Sequence, residues 1–175
     1  MERPTRKALA VMTWTKPREG FVKLNWDAAI DVTRQEMENG IIAHDHTGTV
    51  LAALCASRPL VTDPAIAEVI AAWKTTKVCK HMGFSKVIIE GDSLEVVTAL
   101  QGDDCRWNRF GSLVNDTKSY FNSLQEWHVR HTERLANNAA HLLAKQGLTV
   151  TEDHLWREDF PLCIQQTVLS DKGPF

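Results

Sequence analysis

The chain has 175 residues, of which 43% are hydrophobic and 24% are charged, and its formal net charge is −2. This length fits one domain with a substantial core, and the charge excludes a global attraction to nucleic acid, so any such binding needs a local groove. Widely spaced cysteines without a Cys-x-x-Cys pair argue against a disulfide framework or a zinc cluster. No apolar run approaches the ~18 residues of a membrane span. We expect an intracellular monomer, nuclear or cytoplasmic, without a signal peptide or membrane contact.

The first predicted elements form an antiparallel meander. Residues 21–30 are typical of a strand, and the segment 39–57 predicts two further strands joined at His46-Thr47-Gly48, which is a hairpin signal. Consecutive strands joined by short turns pair antiparallel, so these three are expected to lie side by side.

A well-bounded helix is predicted over residues 64–82. Asp63 suits the N-cap, Pro64 suits the first helical position, and Gly83 suits the C-terminal cap. The alanine-rich body between them contains one internal acid, Glu68.

The second half of the chain alternates helices and strands. The predicted elements are a buried strand over 86–91, a helix capped by Asp92 or Ser93 and ending near Leu100, a helix over 109–123, a strand over 125–131 and a helix over 134–147. Strands separated by helical crossovers are parallel neighbours in a sheet.

This order predicts an α/β fold with a five-stranded mixed sheet, in which a meander of three antiparallel strands is followed by two parallel strands and helices flank the sheet. We assign residues 1–12 to a lead-in, 13–150 to the domain, and 151–175 to a C-terminal tail that packs on it.

Three carboxylates stand where packing alone would not place them. Asp27 ends an alternating strand segment, Glu68 lies in the alanine-rich helix, and Asp92 directly follows an apolar strand. If they converge at the end of central strands, they repel one another, and a divalent cation bound by oxygen ligands relieves that repulsion. Taken singly, Asp27 also fits a turn, Glu68 a solvated helix position and Asp92 a helix cap.

Several motifs share one order and spacing with a known family. They are 14-WTKPREGFVKLNWDAA-29, 45-DHTGTVLAA-53, Ala67-Glu68, 90-EGDSLEVVTAL-100 and 131-HTERLANNAAHLLAK-145. With these motifs the chain resembles the type 1 ribonuclease H family, in its plant reverse-transcriptase-like branch. The resemblance covers about residues 12–171 and implies the ribonuclease H-like fold.

The resemblance also implies an active site, an Asp–Glu–Asp–Asp quartet that holds two divalent ions. Its first three members fall on Asp27, Glu68 and Asp92, whereas His141 stands in the fourth place. Imidazole binds Mn²⁺ better than Mg²⁺ and carries less negative charge than a carboxylate, so the second ion is expected to bind weakly. The alternative is that His141 only lines the cleft.

Three further residues are candidates near this site. His131 precedes the last predicted helix, where family members of the bacterial type use a mobile histidine for proton transfer. The alternative is a strand-end histidine that faces solvent. Asn25 and Ser93 flank the first and third carboxylates and are candidate contacts to the RNA strand.

The resemblance implies a metal-dependent endonuclease, using Mg²⁺ or Mn²⁺, that hydrolyses the RNA strand of RNA–DNA hybrids. One alternative is a nucleic-acid-binding module of retroelement origin whose catalysis is weak or lost because of His141. Another is a protein-interaction domain that kept only the fold. The expected partner is an RNA–DNA hybrid or another nucleic acid.

Overall fold

The structure, a computed structural model, describes residues 13–103, 106–147 and 152–173. The predicted lead-in over residues 1–12 and the predicted domain boundary at residue 150 lie outside them. The strands are β1 (Val22–Asp31), β2 (Glu36–His44), β3 (Val50–Pro59), β4 (Lys86–Gly91), β5 (Glu126–His131) and β6 (His154–Arg157). The α-helices are α1 (Pro64–Met82), α2 (Leu94–Gln101), α3 (Arg109–Phe121), α4 (Asn138–Gly147) and α5 (Gln165–Lys172), and a 3₁₀ turn, Arg134–Asn137, leads into α4.

One mixed sheet organises these elements in the order β5-β4-β1-β2-β3-β6. The meander β1-β2-β3 is antiparallel, whereas β4 runs parallel to β1 and β5 runs parallel to β4. The predicted α/β class, meander and parallel pair are therefore confirmed, but the predicted number of five strands is wrong. The tail adds a sixth strand, β6, which pairs antiparallel with β3 and covers the edge that β3 would otherwise expose.

Helix α1 has the predicted limits. The Asp63 side chain accepts hydrogen bonds from the backbone N–H groups of Ala65 at 2.9 Å and Ile66 at 3.2 Å, and Gly83 ends the helix with φ 71°. Such caps satisfy backbone groups that a helix end leaves unpaired, and an N-cap of this kind contributes about 1 kcal/mol. The helix therefore holds Glu68, in its first two turns, at a fixed position over the sheet.

The two faces of the sheet have different covers. Helices α1, α2 and α3 pack on one face, where Leu24 and Trp26 of β1 are fully buried in the larger core cluster. Helix α4 packs on the other face, where Ile42 of β2 contacts a cluster that includes Leu143. Because side chains alternate along a strand, Asn25 and Asp27 of β1 lie on the α4 face.

Gly40 allows α4 to approach the sheet closely. It is the cross-strand partner of Asp27 in the β1–β2 pair. A methyl group at this glycine would overlap the backbone of α4 at Ala140 and Ala144. The helix backbone therefore rests directly on β2 beside Asp27.

The tail packs on the same face as α4. Ile164 and Val168 are buried in the cluster that contains Leu143 of α4. At the start of the tail, Asp153 instead reaches α1, where it forms an ion pair of 2.5 Å with Lys74.

Among the helices in the described part of the chain, none is long and apolar enough to cross a membrane.

Candidate active site

The three carboxylates predicted from the sequence lie together. Asp27 comes from β1, Glu68 from α1 and Asp92 from the residue that follows β4, and one carboxylate oxygen of each lies within 4.8 Å of the other two. The parallel pairing of β1 with β4 brings the first and third together, because Trp26 and Gly91, the residues just before them, are partners in that pair.

This carboxylate cluster (Asp27, Glu68 and Asp92) keeps two buried oxygens without a hydrogen-bond donor in the described residues. Asp27 is fully buried, and Asp27 Oδ1 and Glu68 Oε2 have no hydrogen-bond donor among the described residues. Burial, and next the charges of Asp27 and Asp92, raise the pKa of Glu68 to about 9. Burial and the charge of Asp92 also raise the pKa of Asp27, against the opposing effects of His141 and Arg134. The first two carboxyls can share a hydrogen bond only when one is protonated.

The cluster fits a divalent cation. Carboxylate oxygens are the ligands that hard cations such as Mg²⁺ prefer, and a bound cation would compensate the two oxygens that lack a donor. Asp27, Glu68 and Asp92 are the residues that could hold a metal ion here.

His141 of α4 reaches the cluster from the other side. Its Nδ1 lies 2.7 Å from Asp27 Oδ2, and 19% of its side chain is exposed. The α4 backbone fixes this contact, since Gly40, opposite Asp27, lets the helix lie against β2. The structure thus places the imidazole beside the cluster, at the position that the resemblance assigns to the fourth ligand.

Arg134, in the 3₁₀ turn before α4, was missed in the sequence analysis. Its Nε lies 2.5 Å from Asp92 Oδ2, and its Nη1 lies 2.6 Å from His141 Nδ1 and 3.9 Å from Asp27 Oδ2. The guanidinium therefore touches one edge of the cluster. Its place seven residues before His141, on the segment that enters α4, was the available signal.

The two contacts of His141 Nδ1 exclude each other as hydrogen bonds. A protonated Nδ1 donates to Asp27, whereas an unprotonated Nδ1 accepts from Arg134. The tautomer of one imidazole therefore decides whether Asp27 or Arg134 is its partner.

His131 and Ser93 both lie beside Asp92. His131 is exposed at the end of β5, and its Nε2 lies 3.2 Å from the backbone carbonyl oxygen of Asp92. Ser93 is half-buried and caps α2, and its Oγ accepts from the Val96 N–H at 3.4 Å. Both residues are therefore neighbours of the third carboxylate of the cluster.

Asn25 is placed differently from the prediction. Its side chain is 1% exposed. Its Oδ1 accepts from Trp14 Nε1 at 3.0 Å, and its Nδ2 donates to Asn137 Oδ1 at 3.1 Å. The turn before α4 covers this face of β1. The buried side chain of Asn25 therefore has no surface on which to meet a nucleic acid.

Three solved structures share the fold. RNase H1 from the halophilic archaeon Halobacterium salinarum has a TM-score of 0.68 and 21% identity over 73% of this chain and 97% of its own. The N-terminal RNase H domain of rv2228c from Mycobacterium tuberculosis has a TM-score of 0.66 and 17% identity, over 73% and 93%. LC11-RNase H1, isolated from compost by a metagenomic approach and solved with an RNA/DNA hybrid, has a TM-score of 0.64 and 16% identity, over 71% and 94%.

These likenesses establish the ribonuclease H-like fold that the motifs predicted. No curated protein matches the chain. Residues 25–147, well over half of the sequence, match the family described as reverse transcriptase-like. The match contains all three carboxylates, Arg134 and His141. The chain is therefore a member of the reverse transcriptase-like family, with a ribonuclease H-like fold.

Proposed function

We propose that the protein is a metal-dependent endonuclease that hydrolyses the RNA strand of RNA–DNA hybrids. The observation that carries the proposal is the carboxylate cluster, in which a fully buried Asp27 and its neighbour Glu68 each keep one oxygen without a donor in the described residues. The fold that this chain shares with LC11-RNase H1, a protein solved with an RNA/DNA hybrid, supports the same substrate class.

The carboxylate cluster and His141 would hold the metal. We propose Mg²⁺ or Mn²⁺, held chiefly by the carboxylates, because His141 brings no negative charge to the place of a fourth carboxylate. When bound, such cations supply a water of lowered pKa and stabilise the charge that develops on the leaving oxygen.

The chain's own residues would position the RNA strand. The Glu68 carboxylate is an acceptor for the ribose 2′-hydroxyl, the group that distinguishes RNA from DNA. Ser93, the residue after Asp92, is half-buried and is a candidate contact to the RNA backbone. The exposed ring of His131, beside Asp92, is a candidate for proton transfer to the leaving 3′-oxygen during product release.

A binding module with weak or lost catalysis was the main alternative. The cluster argues against this alternative, because burying the Asp27 and Glu68 oxygens without donors costs stability, and a site without catalysis gains nothing from that cost. A monomeric state, a nuclear or cytoplasmic location and a plant or retroelement origin remain predictions.

A labelled RNA–DNA hybrid tests the proposal. We expect the wild-type protein to cut the RNA strand with Mg²⁺ or Mn²⁺, and to leave single-stranded RNA and double-stranded DNA intact. Asp92→Asn should abolish cleavage, because it removes one of the charged oxygens of the cluster. Asp116→Asn, which changes an exposed carboxylate on α3, is the matched control and should keep full activity.

Two results would contradict the proposal. Absence of cleavage with both metals would exclude hybrid hydrolysis. Equal cleavage by wild-type protein and Asp92→Asn would place the reaction at another site or in a contaminant.

A further inference from the structure

We propose that Arg134 supplies the second positive charge of this active site, so that the protein holds one divalent cation rather than two. The inference rests on the proposed function and assigns Arg134 as a further catalytic residue. It follows from the way in which the cations and the acceptor atoms are distributed around Asp27.

The two oxygens of Asp27 have different surroundings. Oδ1 lacks a donor among the described residues, as does Oε2 of the neighbouring Glu68. Oδ2 lies 2.7 Å from His141 Nδ1 and 3.9 Å from Arg134 Nη1. The oxygens that still need a cation are therefore on the Glu68 side of Asp27.

The opposite side already contains a cation. The Arg134 guanidinium lies 2.5 Å from Asp92 Oδ2 and reaches both His141 and Asp27. It thus contacts Asp92, His141 and Asp27 on the side of the cluster where a second ion would have His141 in place of a fourth carboxylate. A divalent ion there would meet the repulsion of a fixed positive charge, and the imidazole of His141 adds no negative charge to offset it.

A guanidinium suits this position chemically. It stays protonated at every physiological pH, and its planar array of N–H groups matches the oxygens of a phosphate. About half of the Arg134 side chain, 55%, is exposed, so it can contact a nucleic-acid phosphate without leaving the site. A fixed cation at a phosphoryl group stabilises the charge that develops during transfer, and the arginine fingers of other phosphoryl-transfer enzymes act in this way.

Counting bound Mn²⁺ tests the inference without any need for activity. Equilibrium dialysis combined with electron paramagnetic resonance should find one ion per wild-type chain and two per Arg134→Ala chain. The second ion should appear with the spin-coupled signal of two neighbouring Mn²⁺ ions. Arg134 is largely exposed, so the variant should keep its fold, which circular dichroism would verify. Arg130→Ala, which removes an exposed arginine from β5, is the charge-matched control and should bind one ion.

The kinetics give a second, independent readout. With a hybrid substrate, the wild-type rate should rise with the first power of the Mn²⁺ concentration at subsaturating metal. The rate of Arg134→Ala should rise with a power close to two, because a second ion replaces the lost charge.

The outcomes are distinguishable from failure of the proposed function. If no hybrid is cut, the proposed function fails, yet the ion count still tests the role of Arg134. An equal ion count in wild-type protein and Arg134→Ala would overturn the inference, and so would the same gain in Arg130→Ala.

Discussion

Strand β1 carries two buried polar clusters that differ in how their charge is compensated. In the paired cluster, Lys23 and Glu90 form an ion pair of 2.9 Å, and Asn25 lies beside Glu90. Lys23 also donates to the backbone oxygen of Thr15 at 2.7 Å. Asp27, the next residue of β1 on the same face, belongs to the carboxylate cluster, which has oxygens without donors in the described residues.

The contrast separates a structural polar cluster from a functional one. Lys23 and Glu90 are 3% and 8% exposed, so burial alone does not distinguish the two clusters. What distinguishes them is that Lys23 compensates Glu90 in the first, whereas the second keeps one oxygen each of Asp27 and Glu68 without a donor in the described residues, although Arg134 pairs with Asp92. A buried group without compensation costs stability, and this cost is accepted where it serves binding or chemistry.

The largest expected effect is the loss of activity in Asp27→Asn. We expect hybrid cleavage to fall at least about a thousandfold, or ~4 kcal/mol in the barrier, because the substitution removes a charged oxygen of the carboxylate cluster that would hold the metal. Gel-based cleavage rates measure the loss. Without metal, the free energy of unfolding of the variant should rise, because a buried repelling charge is removed. A variant that is both active and less stable would mean that Asp27 belongs to a compensated cluster.

The paired cluster should respond in the opposite way to loss of a carboxylate. Glu90→Gln leaves the buried Lys23 ammonium without its partner, so we expect the free energy of unfolding to fall by about 3 kcal/mol in urea denaturation. Glu126→Gln, which breaks an exposed pair with Arg18, is the control and should lower the free energy of unfolding far less. Equal losses in the two variants would remove the distinction between a buried and an exposed pair.

Metal binding should stabilise the folded protein through the carboxylate cluster. At a free Mg²⁺ or Mn²⁺ concentration about a hundred times Kd, the free energy of unfolding should rise by ~2.7 kcal/mol. Differential scanning calorimetry with and without a chelator measures this gain. Asp27→Asn should lose this metal-dependent gain in stability, and Glu90→Gln should keep it. The reverse pattern would mean that the metal binds at the paired cluster and not at the carboxylate cluster.

A further expected effect is a pH dependence that arises from Glu68. Its folded pKa of about 9 lies above its ordinary value of 4.5, so the folded state binds this proton more tightly than the unfolded state does. The contribution of this group to stability is complete below pH 4.5 and is lost as the pH rises towards about 9. Metal-free Glu68→Gln should therefore lose stability less steeply than the wild-type protein as the pH rises through this range.

Denaturation in a chelator across this pH range gives the test. Parallel curves for wild-type protein and Glu68→Gln would show that the carboxyl titrates normally in the folded state.

The sequence predicted the elements whose signals are local. Asp63 and Gly83 mark the ends of α1 by their own chemistry, so that helix was predicted to the residue. The meander and the convergence of the carboxylates followed from alternation, turn residues and the family motifs.

The missed features depend on distant parts of the chain. Strand β6 has four residues and forms by pairing with β3, about a hundred residues earlier in the sequence. Alternation placed Asn25 on the same face as Asp27, but it could not show that Trp14 and the turn before α4 cover that position. The place of Arg134 before α4 was visible in the sequence, but its contacts with Asp27 of β1 and with Asp92 after β4 depend on the fold.

Gly40 controls how close the two halves of the site lie to each other. The carboxylates stand on the sheet and α1, whereas His141 and Arg134 are carried by α4 and the turn before it. Because Gly40 has no side chain, the backbone of α4 can lie directly against β2 beside Asp27. A single methyl group there would lift the imidazole and the guanidinium away together and leave the three carboxylates in register. One glycine in a neighbouring strand thus determines whether Asp27 meets a side-chain cation or only solvent ions.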